Sequence, residues 1–175
     1  MPSSDFDAWF ADYLEQSQIQ VEHLLRDKTA VRFLIAWSLL ETSCFHGFAK
    51  GKELKTHCSR IADSEGFNSL PLTPILEHFH ARYQDKKLYD NLMHDNNHPD
   101  IKSHLGSSVD SLSNVERLFF LVSVVYRYRN NIFHGSKGVG SWLEFKPQIE
   151  QCIQVMQALI THASQLTQQK VQDAA

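Results

Sequence analysis

The hydrophobic positions of the chain follow a helical period over most of its length. Apolar side chains recur three and four residues apart, which places them on one face of a helix. Five helical stretches follow from this pattern, at about 5–25, 29–50, 74–93, 115–134 and 145–169. The chain has 7 Gly and 5 Pro among 175 residues, and so few turn residues favour long helices over a β-sandwich. The pattern therefore predicts an all-α fold.

The length of the chain fits one domain that covers residues 1–175, because a domain typically has about 100–200 residues. Residues 170–175 are expected to fray. The polar stretch 94–111 is predicted to connect the third helix to the fourth. Ser113 and Glu116 have the spacing of a capping box, in which each side chain bonds the other residue's backbone N–H. We expect this box to open the fourth helix.

Charge and cysteine usage limit the environment and the partners of the chain. Lys and Arg number 17 against 20 Asp and Glu, a net charge of −3, so nucleic-acid contact would need a local positive patch. Three cysteines without zinc-site spacing indicate free thiols in a reducing cytoplasm. The apolar run 33–40 is shorter than the roughly 20 residues that span a bilayer. The acidic N-terminus differs from a secretory signal, so neither a membrane nor secretion is predicted.

Two charged residues fall on the apolar stripes of the second and fourth helices. Arg129 follows the stripe of the fourth helix, and Glu41 interrupts that of the second. A buried guanidinium or carboxylate is costly unless it is paired, so a contact between Glu41 and Arg129 would satisfy both. The alternative is a solvated Arg129 near a helix C-terminus, where the helix dipole favours a cation.

The end of the fourth helix is also locally basic. Residues 117–143 contain no Asp or Glu and carry Arg117, Arg127, Arg129 and Lys137. The segment 135–140, which includes Lys137, is expected to form a glycine-rich turn. Backbone N–H groups in such a turn can hold a phosphate. His134 adds a group that exchanges protons at neutral pH. Together they could promote attack by the 2′-OH of RNA on its own phosphodiester without a metal or cofactor.

Helical geometry leaves two arginines as candidate partners for His134. Arg127 lies seven residues before His134 and shares its face, whereas Arg129 lies five residues before it, about 140° around the helix. Arg129 can work with His134 only if the helix breaks near Asn130 and Asn131, or if the histidine comes from another subunit.

The segment Arg129–His134 resembles the signature of the HEPN superfamily (higher eukaryotes and prokaryotes nucleotide-binding domains). That signature is an Arg, usually followed by a polar residue, then four to six residues and a His at a helix end. Asn130 is the polar residue, and Arg127 fits the longer spacing. The segment Arg32–Glu41 resembles the Trp- and Glu-bearing helix of some bacterial HEPN proteins. The resemblance covers the helical bundle in outline, and its specific part is about a dozen residues.

The resemblance implies an up-and-down bundle with a four-helix core that forms a homodimer and brings the Arg and His residues of both copies together. Many members are metal-independent endoribonucleases of toxin–antitoxin systems, phage defence or RNA processing, so RNA and an antitoxin protein are candidate partners. Other members are inactive nucleotide-binding or interaction modules, which is the alternative. Toxins paired with nucleotidyltransferase antitoxins commonly carry a Tyr two residues after the His. Here that position is Ser136, so this particular pairing is not expected.

The predicted catalytic residues each have a role. His134 would act as general base or acid, Arg129 would stabilise the phosphate, Asn130 would position it, and Glu41 would orient Arg129. The predicted substrate-binding residues are Arg127, Asn131, Tyr128 and Lys137. Tyr126 and Tyr128 flank Arg127 and could stack on bases, with a core role as the alternative for Tyr126.

A histidine-rich segment, with His94, His98, Asp100 and His104, has some of the spacing of a metal site. A zinc site would need two imidazoles on one helical face. The intervening Asn residues and the His98-Pro99 step disfavour a helix, so no metal is predicted and a polar loop is expected.

Overall fold

The structure is a computed structural model that describes residues 5–67, 71–94, 98–133 and 144–173. Every regular element in these residues is helical, which confirms the all-α prediction. The helices are α1 (Phe6–Leu14), α2 (Gln18–Arg26), α3 (Thr29–Cys44), α4 (Leu54–Ala62), α5 (Thr73–Arg82), α6 (Lys86–Met93), α7 (Pro99–Leu105), α8 (Asn114–Phe133) and α9 (Lys146–Asp173). Short 3-10 turns cover Gly51–Glu53 and Val109–Ser111. The described residues thus hold more helices than the five predicted.

The first predicted helix is two helices because its capping residues stop it midway. Glu15 ends α1 in the left-handed region, with φ 53°, and its N–H bonds the carbonyls of Ala11 and Asp12. Ser17 and Gln20 then form a capping box that starts α2. Since a left-handed residue cannot continue an α-helix, the chain turns back and α2 packs on α1.

The third predicted helix and the polar stretch after it also differ from expectation. Asp85 caps α6 by accepting the N–H of Leu88 at 3.0 Å, which separates α6 from α5. The predicted loop contains α7, with Pro99 in its first turn, a position that proline favours. Gln84 Nε2 donates to the carbonyl of Leu105 at 2.8 Å and ties the end of α7 to the α5–α6 turn.

Helix α8 is the centre of the fold. The predicted capping box opens it, because Ser113 N–H donates to Glu116 Oε2 at 2.8 Å and Glu116 N–H donates to Ser113 Oγ at 3.3 Å. Helices α4, α5, α6, α7 and α9 all pack against α8. Its fully buried side chains are Leu118, Phe120, Leu121, Val122, Val124 and Val125. Each contributes about 1.5–3 kcal/mol through burial, so α8 anchors the core.

Helices α3 and α9 form the most extensive helix pair. Helices α1 and α2 have a small core of their own, made by Phe10, Ala11, Val21 and Leu24. Lys146 Nζ lies 2.7 Å from Asp27 Oδ2, which links the end of α2 to the start of α9. The hydrogen bond that Lys146 donates to Asp27, together with that from Thr29, lowers the pKa of Asp27 to about 2.

None of the helices in the described residues is both long and apolar enough to cross a membrane.

Candidate functional site

The last turns of α8 change from apolar to polar and carry most of the predicted site residues. Successive helical residues are rotated by about 100°, so Arg127 and Arg129 point to nearly opposite sides of α8. Arg127 meets the residue before α7, and Arg129 meets α3. Both side chains are half-buried. The two candidate cations therefore belong to two separate environments.

Arg129 lies against an aromatic ring of α3. Its guanidinium carbon is 5.8 Å from the centroid of the Trp37 ring, within the range of a cation–π contact. Its Nη1 donates to Asn130 Oδ1 at 3.2 Å. Trp37 is buried and also touches Tyr126, with ring centroids 6.0 Å apart. The positioning role predicted for Asn130 stays a prediction.

Glu41 is not paired with Arg129 as the sequence suggested. Its Oε1 accepts the backbone N–H of Ala49 at 3.0 Å, and no ion pair between Glu41 and Arg129 exists among the described residues. The carboxylate instead ties the segment after α3 back onto the helix. Trp37, one turn before Glu41, takes the place facing Arg129. Helices α3 and α8 do meet there, but through a ring rather than a carboxylate.

Arg127 forms a second arginine–histidine pair with His98. Its Nη2 donates to His98 Nε2. Burial and then the positive charge of Arg127 lower the pKa of His98, so the imidazole is neutral at pH 7. Burial also lowers the pKa of Arg127. No carboxylate ion-pairs with Arg127 within the described ranges, so its charge has a neutral partner.

Tyr89 lies beside this second pair. Burial raises the pKa of its phenol, and the positive charge of Arg127 opposes that rise. Its hydroxyl is buried and has no hydrogen-bond partner in the part of the chain that is described. A buried hydroxyl normally has a partner. The neighbourhood of Arg127 thus holds both an uncompensated cation and an unused hydrogen-bonding group.

Two other predicted substrate-binding residues belong to the interior. Tyr128 is buried, and its hydroxyl lies 3.1 Å from that of Tyr83. Burial raises its pKa to about 12, and its ring packs near Phe79 and Phe145, which removes it from the rings that could stack on a base. Asn131 is buried as well and donates from Nδ2 to the carbonyl of Leu92 at 3.4 Å, so its amide joins α8 to α6.

His134 and Lys137 lie outside the described residues, and their predicted roles stay predictions. Helix α8 is α-helical without interruption through Asn130 and Asn131 to Phe133. The break that Arg129 would need to act with a histidine of its own chain is therefore not seen in the described part. The second condition, a histidine from another subunit, stays open as a prediction.

Sequence reasoning missed the part played by His98. It grouped His98 with a polar loop, because the partner, Arg127, lies 29 positions further along the chain. The available signal was a histidine directly before Pro99, at a helix start, in a segment rich in histidine. Among the residues that the structure describes, no cluster of His, Cys, Asp or Glu is arranged to hold a metal ion.

Comparison of the chain with protein-family models, with curated proteins and with solved structures finds no match.

Proposed function

We propose that this protein is a metal-independent endoribonuclease of the HEPN type, with its site at the C-terminal end of α8. The all-helical architecture supports the proposal, as does the Arg129–His134 segment at the end of the central helix. The same turns of α8 carry two arginines that face different neighbours. A HEPN-like four-helix arrangement within the larger set of helices is part of this proposal.

The observation that carries the proposal is the state of Arg127. A half-buried guanidinium that is hydrogen-bonded to a neutral imidazole, with no counterion among the described residues, keeps its full positive charge. Removing such a charge from water costs free energy. A phosphodiester would supply the missing negative charge and two oxygens that accept from the guanidinium fork. Arg127 is therefore suited to bind the RNA backbone.

The chemistry requires a base, an acid and a cation. A histidine removes the proton of the 2′-OH, the 2′-oxygen attacks phosphorus, and the 5′-oxygen leaves with a proton from an acid. The products are a 2′,3′-cyclic phosphate and a 5′-hydroxyl. Arginine stabilises the charge that develops at phosphorus. We assign Arg129 and His134 to this step, with Asn130 as a positioning residue, and Arg127 with His98 to substrate binding.

The partners follow from the same proposal. A homodimer would supply His134 of one copy to Arg129 of the other, and the continuity of α8 through Asn130 and Asn131 supports this arrangement. RNA is the proposed substrate, and an antitoxin protein is the proposed regulator in a toxin–antitoxin or phage-defence setting within the cytoplasm.

A second candidate function is a catalytically inactive nucleotide-binding or protein-interaction module. The contact between Arg129 and the ring of Trp37 favours it, because a guanidinium that packs on a buried ring has a structural use already. In this case Arg127 would still bind a phosphate, without cleavage.

The test is cleavage of mixed RNA in the presence of EDTA. Wild type is expected to produce 2′,3′-cyclic phosphate ends. His134→Ala and Arg129→Ala are each expected to lower the rate by about 100-fold or more, the usual contribution of a general base or of a transition-state cation. Lys87→Gln is the matched control, since it removes one exposed positive charge from α6.

Three outcomes distinguish the candidates. Cleavage that persists in both variants contradicts the assignment of the site. Absence of cleavage by wild type, with RNA or nucleotide binding that Arg127→Met abolishes, favours the inactive module. Loss of cleavage in Lys87→Gln as well would indicate a general effect of charge rather than a site.

A further inference from the structure

A cleft of about 300 Å³ lies on another part of the molecule, between the ends of α3 and α4 and the C-terminal half of α9. Apolar side chains of α9, Leu159, Ala163 and Leu166, form one part of its lining, together with Ile61 of α4. A volume of this size is at the lower end of the range for small-molecule sites. None of the residues assigned to the proposed ribonuclease lines it.

The polar lining of this cleft has one sign of charge. Arg60 and Lys170 contribute permanent positive charges, His46 and His162 contribute imidazoles, and no carboxylate of the described residues lines the cleft. The whole chain has more acidic than basic residues, so this opening departs from the average surface. Neither Arg60 nor Lys170 forms an ion pair with a carboxylate in the described ranges. The cleft therefore presents positive charge that the described carboxylates do not neutralise.

Arg60 is held in place by the end of α3. Its Nη2 donates to the carbonyl of Cys44, the last residue of α3, and lies 3.5 Å from His57 Nδ1. The Nε and Nη1 donors of the guanidinium make no hydrogen bond to a described residue, which leaves them for a ligand. A fork that is already anchored loses less conformational entropy when it binds an anion than a free side chain does.

His162 and Ser64 form a fixed polar wall rather than a nucleophilic pair. The buried His162 places Nε2 2.7 Å from Ser64 Oγ, and Ser64 Oγ lies 2.5 Å from the carbonyl of Ile61. A carbonyl oxygen can only accept, so the hydroxyl donates to Ile61 and the imidazole N–H donates to the hydroxyl oxygen. In this arrangement the serine proton lies toward the carbonyl and not toward the imidazole. This wall contributes polarity and shape without covalent chemistry.

We propose that this cleft binds a small organic anion, with the anionic group on Arg60 and Lys170 and an apolar body against Leu159 and Leu166. A phosphomonoester is the favoured anion, because an anchored guanidinium fork and an ammonium together match its oxygens. The site goes beyond the proposed ribonuclease and does not depend on it.

The experiment is a titration of the full-length protein with phenyl phosphate at constant ionic strength, followed by calorimetry and by amide chemical shifts. We expect a dissociation constant on the order of 1 mM or tighter, as is usual for a ligand of this size, with shifts at residues 159–167. Benzyl alcohol, which lacks the charge, and inorganic phosphate, which lacks the ring, are each expected to bind at least about tenfold more weakly. Benzoate measures whether a carboxylate can replace the phosphate.

Lys170→Gln is the main variant, because Lys170 is exposed near the end of α9 and its replacement should not affect folding. It is expected to weaken phenyl phosphate binding by about tenfold, the usual effect of losing one charge-assisted contact. Arg60→Lys keeps the charge near the end of α3 but loses the fork, and it should weaken binding as well. Lys87→Gln, which lies outside the cleft, should bind like wild type. A melting curve of each variant separates lost binding from lost folding.

The proposal is overturned if phenyl phosphate does not bind wild type, or if Lys170→Gln and Lys87→Gln bind it equally well. Shifts confined to α8 would also overturn it and would point to Arg127 instead. If inorganic phosphate bound as tightly as phenyl phosphate, the proposed contact of the ligand's apolar body with Leu159 and Leu166 would be refuted. Because no RNA is used, failure here leaves the ribonuclease proposal untouched, and failure of RNA cleavage leaves the cleft untouched.

Discussion

The two arginines at the end of α8 are two positions apart in the chain, and their surroundings differ in kind. Arg129 lies on the buried ring of Trp37 and bonds Asn130, so its side chain contributes to packing between helices. Arg127 bonds a neutral histidine and lies near the Tyr89 hydroxyl, which has no hydrogen-bond partner among the residues that the structure describes. The Arg129 side chain is stabilised by its neighbours, whereas the contacts of Arg127 with the described residues do not neutralise its charge. The comparison indicates that two half-buried arginines on one helix can differ in whether neighbouring side chains meet their charge.

The largest effect is expected from removing the ring beneath Arg129. Trp37→Ala deletes a side chain that is 4% exposed and touches Phe45 and Tyr126. The unfolding free energy should fall by about 3–5 kcal/mol, as for other large-to-small core substitutions. Urea denaturation followed by circular dichroism measures it. A loss below about 1 kcal/mol would mean that the Arg129 side of α8 is not a packing site.

Replacing each arginine by methionine compares the two sides directly. Arg129→Met should lower the unfolding free energy by about 1–2 kcal/mol, because it removes a cation–π contact with a buried ring. Arg127→Met should leave stability unchanged or raise it, since a charge that no described carboxylate neutralises is replaced by an apolar chain of similar length.

The same pair of variants separates stability from RNA binding. Arg127→Met should weaken the affinity for single-stranded RNA and reduce the slope of log affinity against log salt by about 0.7, the value for one phosphate contact. Filter binding at several salt concentrations gives both quantities. An unchanged slope would argue that Arg127 does not contact phosphate.

The neutral partner of Arg127 predicts a dependence of stability on pH. The pKa of His98 is lower in the folded protein than its ordinary value of 6.5, so the unfolded chain binds the proton more readily. Stability should be complete above about pH 6.5 and should decline as the pH falls below it. His57, His104 and His162 shift in the same direction. Melting curves from pH 8 to 5 should therefore show a smaller decline in His98→Gln than in wild type, and equal declines would exclude His98 as a contributor.

The smallest effect is expected at the hydroxyl beside Arg127. Tyr89→Phe removes a buried group that has no hydrogen-bond partner in the described residues. Because leaving such a group unsatisfied carries a penalty, the variant should be more stable by about 0.5–1 kcal/mol. If RNA binding falls at the same time, the hydroxyl serves the ligand rather than the fold. A destabilised variant would show that the hydroxyl is solvated after all.

Local sequence signals predicted the features that depend on neighbouring residues. The capping box at Ser113 and Glu116 and the long central helix that follows it agree with expectation. The helical period also gave the all-α class. Those signals failed where a single residue ended a helix inside a continuous apolar repeat. Glu15 does so, because its left-handed backbone ends α1. They failed again at α7, where Pro99 begins a helix rather than ending one.

The candidate site was less accessible to sequence reasoning because its contacts are long-range. The charge anomaly at Arg129 was correctly identified from the stripe, but its neighbour was a ring, and the nearby carboxylate of Glu41 bonds a backbone N–H instead. A stripe of apolar positions on a helix indicates which residues face the interior. It does not identify the side chains of other helices that contact them. His98 and Arg127 could be joined only through the folded arrangement of α7 and α8.

The separate small core of α1 and α2 has a consequence for how the molecule opens. Four buried side chains hold this hairpin, and one ion pair, Lys146 with Asp27, joins its end to α9. Segments with little buried apolar surface open at a lower free energy than the global unfolding transition. Amide protons of α1 and α2 should therefore exchange with deuterium well before those of α8. The hairpin formed by α1 and α2 would open and close many times between two global unfolding events.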